Sequence, residues 1–186
     1  NFGSACMAGW SSYGKIDKFC MLPMQSVALS VTTFVGQNLG SGNLKRAKRG
    51  SLVALAMSVS ISVLMMIPIL IFAPQLVGLF NQDPDVLQFG TLFLRFMMPF
   101  YACCCINQIY AGTLRGAGNA LAPTIIMMSS FIVFRQIYLF VVSKLFDTIE
   151  VVAFGYPAGW IVCSIIMLIY YYCSHWEKKA VNMQSK

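Results

Sequence analysis

The chain has 186 residues, of which 58% are hydrophobic and only 10% charged, with a mean hydropathy of +0.71 and a net charge of +7. Soluble domains carry roughly 25% charged residues, so too few polar side chains are present to cover a water-facing surface. A disordered chain, which needs low hydrophobicity and high charge, is excluded as well, and an integral membrane protein remains.

The chain opens Asn1-Phe2-Gly3, without an initiator Met. No charged stretch followed by a short apolar core marks a signal peptide, so this start is expected to reflect truncation. A transmembrane helix needs about 20 mostly apolar residues, and five segments qualify. The first runs from Phe19 to Leu39, open to extension back toward Ala5. The second runs from Ser51 to Phe80 and contains Pro68 and Pro74. The third, Val86 to Leu114, is interrupted by Arg95. The fourth, Ala120 to Ser143, contains Arg135. The fifth runs from Val151 to Ser174, and residues 175–186 form a tail. Short turns at Asn81–Asp85 and Arg115–Asn119 imply antiparallel neighbours in one bundle. The expected class is all-α, a polytopic membrane helix bundle with five transmembrane helices.

Basic residues mark the cytoplasmic side of membrane proteins. Lys45, Arg46, Lys48, Arg49, Arg115, Lys178, Lys179 and Lys186 fall on one side, and Lys15, Lys18 and Lys144 on the other. Acids run the opposite way: Glu177 against Asp17, Asp83, Asp85, Asp147 and Glu150. The C-terminus is therefore expected in the cytoplasm and the N-terminus outside. The net charge reflects topology, and no nucleic-acid partner is expected. An outside start without a signal calls for a preceding helix, which again points to missing upstream sequence.

Two inward-running helices end alike. Gly36-Gln37-Asn38-Leu39-Gly40-Ser41-Gly42-Asn43 closes the first, and Gly112-Thr113-Leu114-Arg115-Gly116-Ala117-Gly118-Asn119 closes the third. Glycines four apart allow close helix approach, and the following Gly and Asn tolerate the left-handed backbone that ends a helix. Gly36, Gly40, Gly112 and Gly116 are candidates for structural or gating roles, as is Pro23, which is expected to kink the first helix. Packing and capping explain the match, as does an internal repeat of helix pairs.

The first helix carries a polar stripe of Ser26, Ser30, Thr33 and Gln37, with Gln25 on an adjoining face. The third repeats the spacing with Tyr101, Cys105, Gln108 and Gly112, and Asn107 sits beside it. Polar groups in hydrocarbon are costly, so such stripes face protein or a water-filled cavity. They serve either as interhelical hydrogen-bond glue or as a cavity wall. Candidate substrate contacts are Gln25, Ser30, Thr33, Gln37, Tyr101, Asn107, Gln108 and Arg135. A charge inside a membrane helix is expensive and usually functional or paired. Arg95 is placed to snorkel toward headgroups, whereas Arg135 lies deeper. No Asp or Glu falls within the five segments, and Asp17 is expected at the outer mouth of the first helix. A full coupling site is therefore expected to be incomplete in this chain.

The seven cysteines have no metal-ligand spacing and read as small apolar filler, so no metal site is expected. His175 is the single histidine, and no nucleophile–base pair can be assembled, so an enzyme is not expected.

The stretch from Ala8-Gly9-Trp10 through Tyr13-Gly14-Lys15-Ile16-Asp17-Lys18-Phe19, Leu22-Pro23, Thr32-Thr33-Phe34-Val35-Gly36-Gln37-Asn38-Leu39-Gly40 and Arg46-Ala47 resembles the second lobe of multidrug and toxic compound extrusion (MATE) transporters. Leu114-Arg115-Gly116-Ala117-Gly118-Asn119 with Pro123 resembles a later helix of that lobe, and Arg135 with Tyr138 fits the next. The family has twelve helices in two lobes, and the resemblance implies that this chain supplies the eighth to twelfth. It implies secondary active efflux of organic cations and drugs by alternating access in a bacterial inner membrane, in contact with lipid and with a missing N-terminal lobe. No cofactor is implied beyond H+ or Na+ as coupling ion. The family's coupling acids lie on its first, seventh and sometimes tenth helices. The third helix here, matching the tenth, carries no Asp, which favours proton coupling through the other lobe. Other readings are a lipid-linked oligosaccharide flippase of the same superfamily and a non-transporting membrane scaffold subunit.

Overall fold

The computed structural model describes residues 3–145, 149–174 and 176. Asp147, His175 and the tail from Glu177 onward lie outside them. All regular structure among the described residues is helical: α1 Gly3–Gly40, α2 Leu44–Ile71, α3 Ala73–Gly78, α4 Pro84–Met97, α5 Tyr101–Gly116, α6 Leu121–Met128, α7 Arg135–Leu145, α8 Ile149–Ala153 and α9 Gly155–Cys173. Five stretches are long and apolar enough to cross a membrane: Gly3–Gly40, Leu44–Ile71, Pro84–Gly116, Leu121–Val142 and Val151–Cys173.

Prolines and a π turn punctuate these spans. Pro68 precedes the end of α2, and Pro74 occupies the first turn of α3, where its missing N–H costs nothing. Pro99 sits in a 3-10 turn, Met98–Phe100, that joins α4 to α5. A π turn at Ser129–Phe134 joins α6 to α7 within the fourth span. Pro23 lies inside α1 without ending it.

α1 is the central element and packs on α2, α4 and α5. Its 38 residues extend ~57 Å at 1.5 Å per residue, well beyond the ~30 Å hydrocarbon layer. It begins at Gly3 rather than near Phe19, because Lys15, Asp17 and Lys18 do not interrupt the helix. Glycines let it press against the third span. A methyl on Gly9 would meet Phe89 Cβ at 2.8 Å, one on Gly112 the Ala28 carbonyl oxygen at 2.6 Å, and one on Gly116 would run into the Thr32 carbonyl oxygen. The same helix pair is tied by Thr32, whose Oγ1 lies 3.1 Å from Gly112 O and 3.0 Å from Ala28 O.

Large apolar side chains including Leu29, Leu52, Leu64, Ile71, Leu121, Ile137 and Ile169 are exposed, as lipid-facing surfaces require. Polar groups instead act as interior ties. Thr113 Oγ1 donates to Ser51 Oγ at 2.9 Å, and Ser51 Oγ donates to Ala47 O at 3.1 Å, joining α5 to α2.

The repeated motif closes both helices in one way. Gly42 and Gly118 have φ of +74° and +83°. Asn43 N–H donates to Asn38 O, and Asn119 N–H donates to Leu114 O. Asn43 then accepts from Arg46 N–H, and Asn119 from Ala122 N–H.

Candidate functional site

Asp17 lies in the interior of α1, half-buried. Tyr13, one turn earlier, donates its hydroxyl to Asp17 Oδ1 at 3.2 Å. Tyr101, the first residue of α5, donates to the same oxygen. Both phenols are buried, Tyr13 at 4% and Tyr101 at 1% exposure. Tyr101 is close to the middle of the 33-residue Pro84–Gly116 span, so Asp17 is level with that middle. The apolar helical stretches Gly3–Gly40 and Pro84–Gly116 contain Asp17 and Asp85, so the expectation that the spans hold no carboxylate is corrected. The extra turns of α1 before Phe19 carry Asp17 alongside α5.

The carboxylate is the end of an aromatic chain. Trp10 packs on Tyr13 at 5.0 Å between ring centroids, on Phe93 edge-on at 5.1 Å, and on Tyr156 at 4.7 Å. Tyr101 meets Trp160 edge-on at 5.9 Å. Arg135 lies with its guanidinium carbon 3.5 Å from the Tyr156 ring centroid. The carboxylate and the arginine thus face one aromatic cluster from two sides. Two phenol hydroxyls donating to Oδ1 fix the orientation of the carboxyl group between α1 and α5. No other hydrogen bond to the carboxylate is present among the described residues, so Oδ2 has no hydrogen-bond partner there.

The other sequence candidates separate into two groups. Gln25, Ser30, Thr33 and Gln37 are exposed on α1. Ser26 and Ser30 line a groove of about 560 Å³ between α1 and α2, together with Phe34, Arg46 and Arg49. Tyr101 and Asn107 are buried at 1% exposure each, and Asn107 Nδ2 donates to Trp160 O at 3.2 Å. Gln108 and Arg135 are half-buried. Gly112 and Gly116 make the close approaches described above. Gly36 sits 3.4 Å from Gly116 O, and Gly40 faces open space. Pro23 is half-buried within α1. Arg95 is exposed and lines a separate cavity of about 620 Å³ with Gln88 and Thr91.

Sequence reasoning placed Asp17 at the outer mouth of the first helix and gave Tyr13, Trp10, Tyr156 and Trp160 no role at a site. The Tyr13–Asp17 spacing of four residues was the available signal, since it places both on one helix face.

A sequence model of the MatE family matches residues 1–141. The chain belongs to the MatE family. Among curated MatE relatives, "Probable multidrug resistance protein NorM" of Thermotoga maritima is 27% identical over 184 residues, covering 96% of this chain and 39% of that protein. "Probable multidrug resistance protein YoeA" of Bacillus subtilis is 25% identical over 184 residues, covering 98% of this chain and 39% of that protein. The chain thus spans about two fifths of the length of these relatives. The fold is also that of a solved structure described as the inward-facing conformation of a multidrug resistance MATE family transporter of the MOP superfamily. That match has a TM-score of 0.82 at 18% identity, and covers 95% of this chain and 43% of the other. The all-α, five-span membrane bundle and the family resemblance both stand.

Proposed function

We propose that the chain works as part of one lobe of a secondary active exporter of small organic cations and drugs, driven by antiport with protons. Its membership of the MatE family supports export, and Asp17 carries the coupling reading. A carboxylate midway along a span, held through one oxygen by Tyr13 and Tyr101, offers one oxygen to one proton.

Protonation of Asp17 weakens its acceptance from Tyr101. That bond ties α1 to α5, so loading the proton loosens contact between two helices. Alternating access needs an element of this kind, whose two arrangements are biased by the bound ion. Pro23, just beyond Asp17 in α1, leaves the Phe19 carbonyl without its helical donor and provides a place to bend. The exposed stripe of Ser26, Ser30, Thr33 and Gln37 would then line the path between this lobe and the other. The basic Lys45–Arg49 end lies in the cytoplasm in this reading, with the C-terminus on the same side of a bacterial inner membrane.

Asp17→Asn keeps the shape but cannot release a proton. In proteoliposomes, ethidium movement driven by a pH gradient should fall ~10-fold or more, because a charge-assisted interaction is lost. Exchange of ethidium between the two sides without a gradient should persist. Undiminished gradient-driven transport by the variant would remove Asp17 from the coupling step.

A further inference from the structure

A cavity of about 400 Å³ opens where α1, α4, α7 and α9 meet, with Trp10, Phe93, Arg135, Leu139 and Tyr156 among its lining residues. That volume is in the range of small-molecule sites. Apart from Arg135 its walls are apolar or aromatic, and among the described residues no acid lines it. The Arg135 guanidinium is stacked on Tyr156, yet its Nε is buried and has no hydrogen-bond partner. A buried charged donor without an acceptor is costly. Arg135 as a whole is half-buried, lines the cavity and has no ion-pair partner among the described residues, so an anion in the cavity would meet the guanidinium's outer N–H groups and supply its missing counter-charge. Beside it, Trp10 and Tyr156 lie 43° apart and Phe93 stands 87° to Trp10, giving flat apolar walls to a ring system.

We propose that this cavity binds an aromatic carboxylate, with the carboxylate on Arg135 and the ring against Trp10 and Phe93. A planar guanidinium presents paired donors that match a carboxylate. The site is a second one, for a ligand of opposite charge to the exported cations, and it does not depend on proton coupling at Asp17.

The test is calorimetric titration of the protein in nanodiscs of zwitterionic lipid with 2-naphthoate, 2-naphthamide and 2-naphthylmethylammonium. The acid should bind saturably and ~10-fold or more tightly than the uncharged amide, the gain expected of one charge-assisted contact. Arg135→Gln should abolish that preference, and Arg135→Lys should keep part of it. Leu139→Trp, which fills the cavity without touching the charge, should weaken acid and amide alike. Absence of saturable naphthoate binding to the unaltered protein would overturn the proposal. So would equal binding of the amide or the ammonium, or a preference for the acid that survives Arg135→Gln. Should Arg135→Gln fail to fold, the Leu139→Trp and ligand-series results decide alone. Ethidium transport in the same preparation is read separately, so loss of one reading leaves the other standing.

Discussion

Two polar stripes of the same spacing meet opposite fates. Ser26, Ser30, Thr33 and Gln37 on α1 are exposed. On the third span, Tyr101, Cys105 and Gly112 are buried and Gln108 is half-buried. Helical periodicity says which residues share a face, but not what that face meets. α5 turns its stripe into the lobe because Gly112 and Gly116 let the α1 backbone lie against it. The α1 stripe is exposed, with Ser26 and Ser30 opening into the groove beside α2 rather than being packed under a helix.

The largest expected effect comes from the glycine that ends the buried stripe. Gly112→Val puts a branched side chain where even Cβ would approach the Ala28 carbonyl oxygen to 2.6 Å. Two backbones cannot shift as a flexible side chain can. Overpacking of this kind costs about 3 kcal/mol, and a detergent melt should show the loss or no folded protein. Gly40→Ala, in the matching motif of α1, meets nothing within 4 Å and should leave the melt within about 0.5 kcal/mol. A loss at Gly40 as large as that at Gly112 would show that the space beside Gly40 is filled in the folded protein.

The first residue of the buried stripe comes next. Tyr101→Phe removes the donor that ties α5 to Asp17 while keeping the ring against Trp160. Asp17 is half-buried and solvent screens part of the interaction, so the expected loss is about 1–2 kcal/mol. In the Asp17→Asn background the same change should cost less, and the double-mutant cycle measures the difference. A cycle that closes to zero would show that the two side chains do not act together.

How far this site could be read from sequence depended on where α1 begins. The spans themselves were legible, since five long apolar runs separated by short turns leave little choice. The two helix ends were legible too, because Gly42 and Gly118 take the positive φ that the Gly-Asn pattern announces. The partners of Asp17 were not. Lys15, Asp17 and Lys18 read as a charged interface, but the helix sorts them around its circumference. Lys15 is exposed, with its Nζ 4.8 Å from the Phe80 ring centroid, and Lys18 is exposed, while Asp17 turns toward Tyr101. Trp10 falls still earlier, so the aromatic cluster joining Tyr13 to Arg135 was hidden with it. Composition in a window averages over these directions, and the long-range partner Tyr101 is 84 positions away.

Asn107 tests the boundary between glue and cavity wall. Its Nδ2 donates to Trp160 O, but its buried Oδ1 has no partner. Asn107→Ala loses one bond and leaves a small void, but it also removes an unpaired acceptor. These terms offset, and interhelical polar contacts in membranes average only about 0.6 kcal/mol, so the melt should fall by about 1 kcal/mol or less. A loss several times larger would place Asn107 with the structural ties, alongside Thr113 and Ser51.

The smallest stability effect, and the sharpest contrast, is expected on the exposed α1 stripe. Its hydroxyls need no partner from elsewhere, because Ser26, Ser30 and Thr33 donate to the carbonyls of Leu22, Ser26 and Leu29 on their own helix. Such residues tolerate lipid. Gln37 and Gln25 are different: each amide has two donors and an acceptor that a helix cannot satisfy locally, and leaving them in hydrocarbon is costly. Their presence on the exposed face of α1 therefore argues for water or protein against that face rather than acyl chains. Gln37→Leu should leave the melt within about 0.5 kcal/mol, as exposed substitutions generally do, while ethidium export by the protein falls. Ser30→Leu should do the same if the path runs along the whole stripe. Export that is unchanged in both variants would show that this face meets lipid, and would leave the Asp17 cluster without a path beside it.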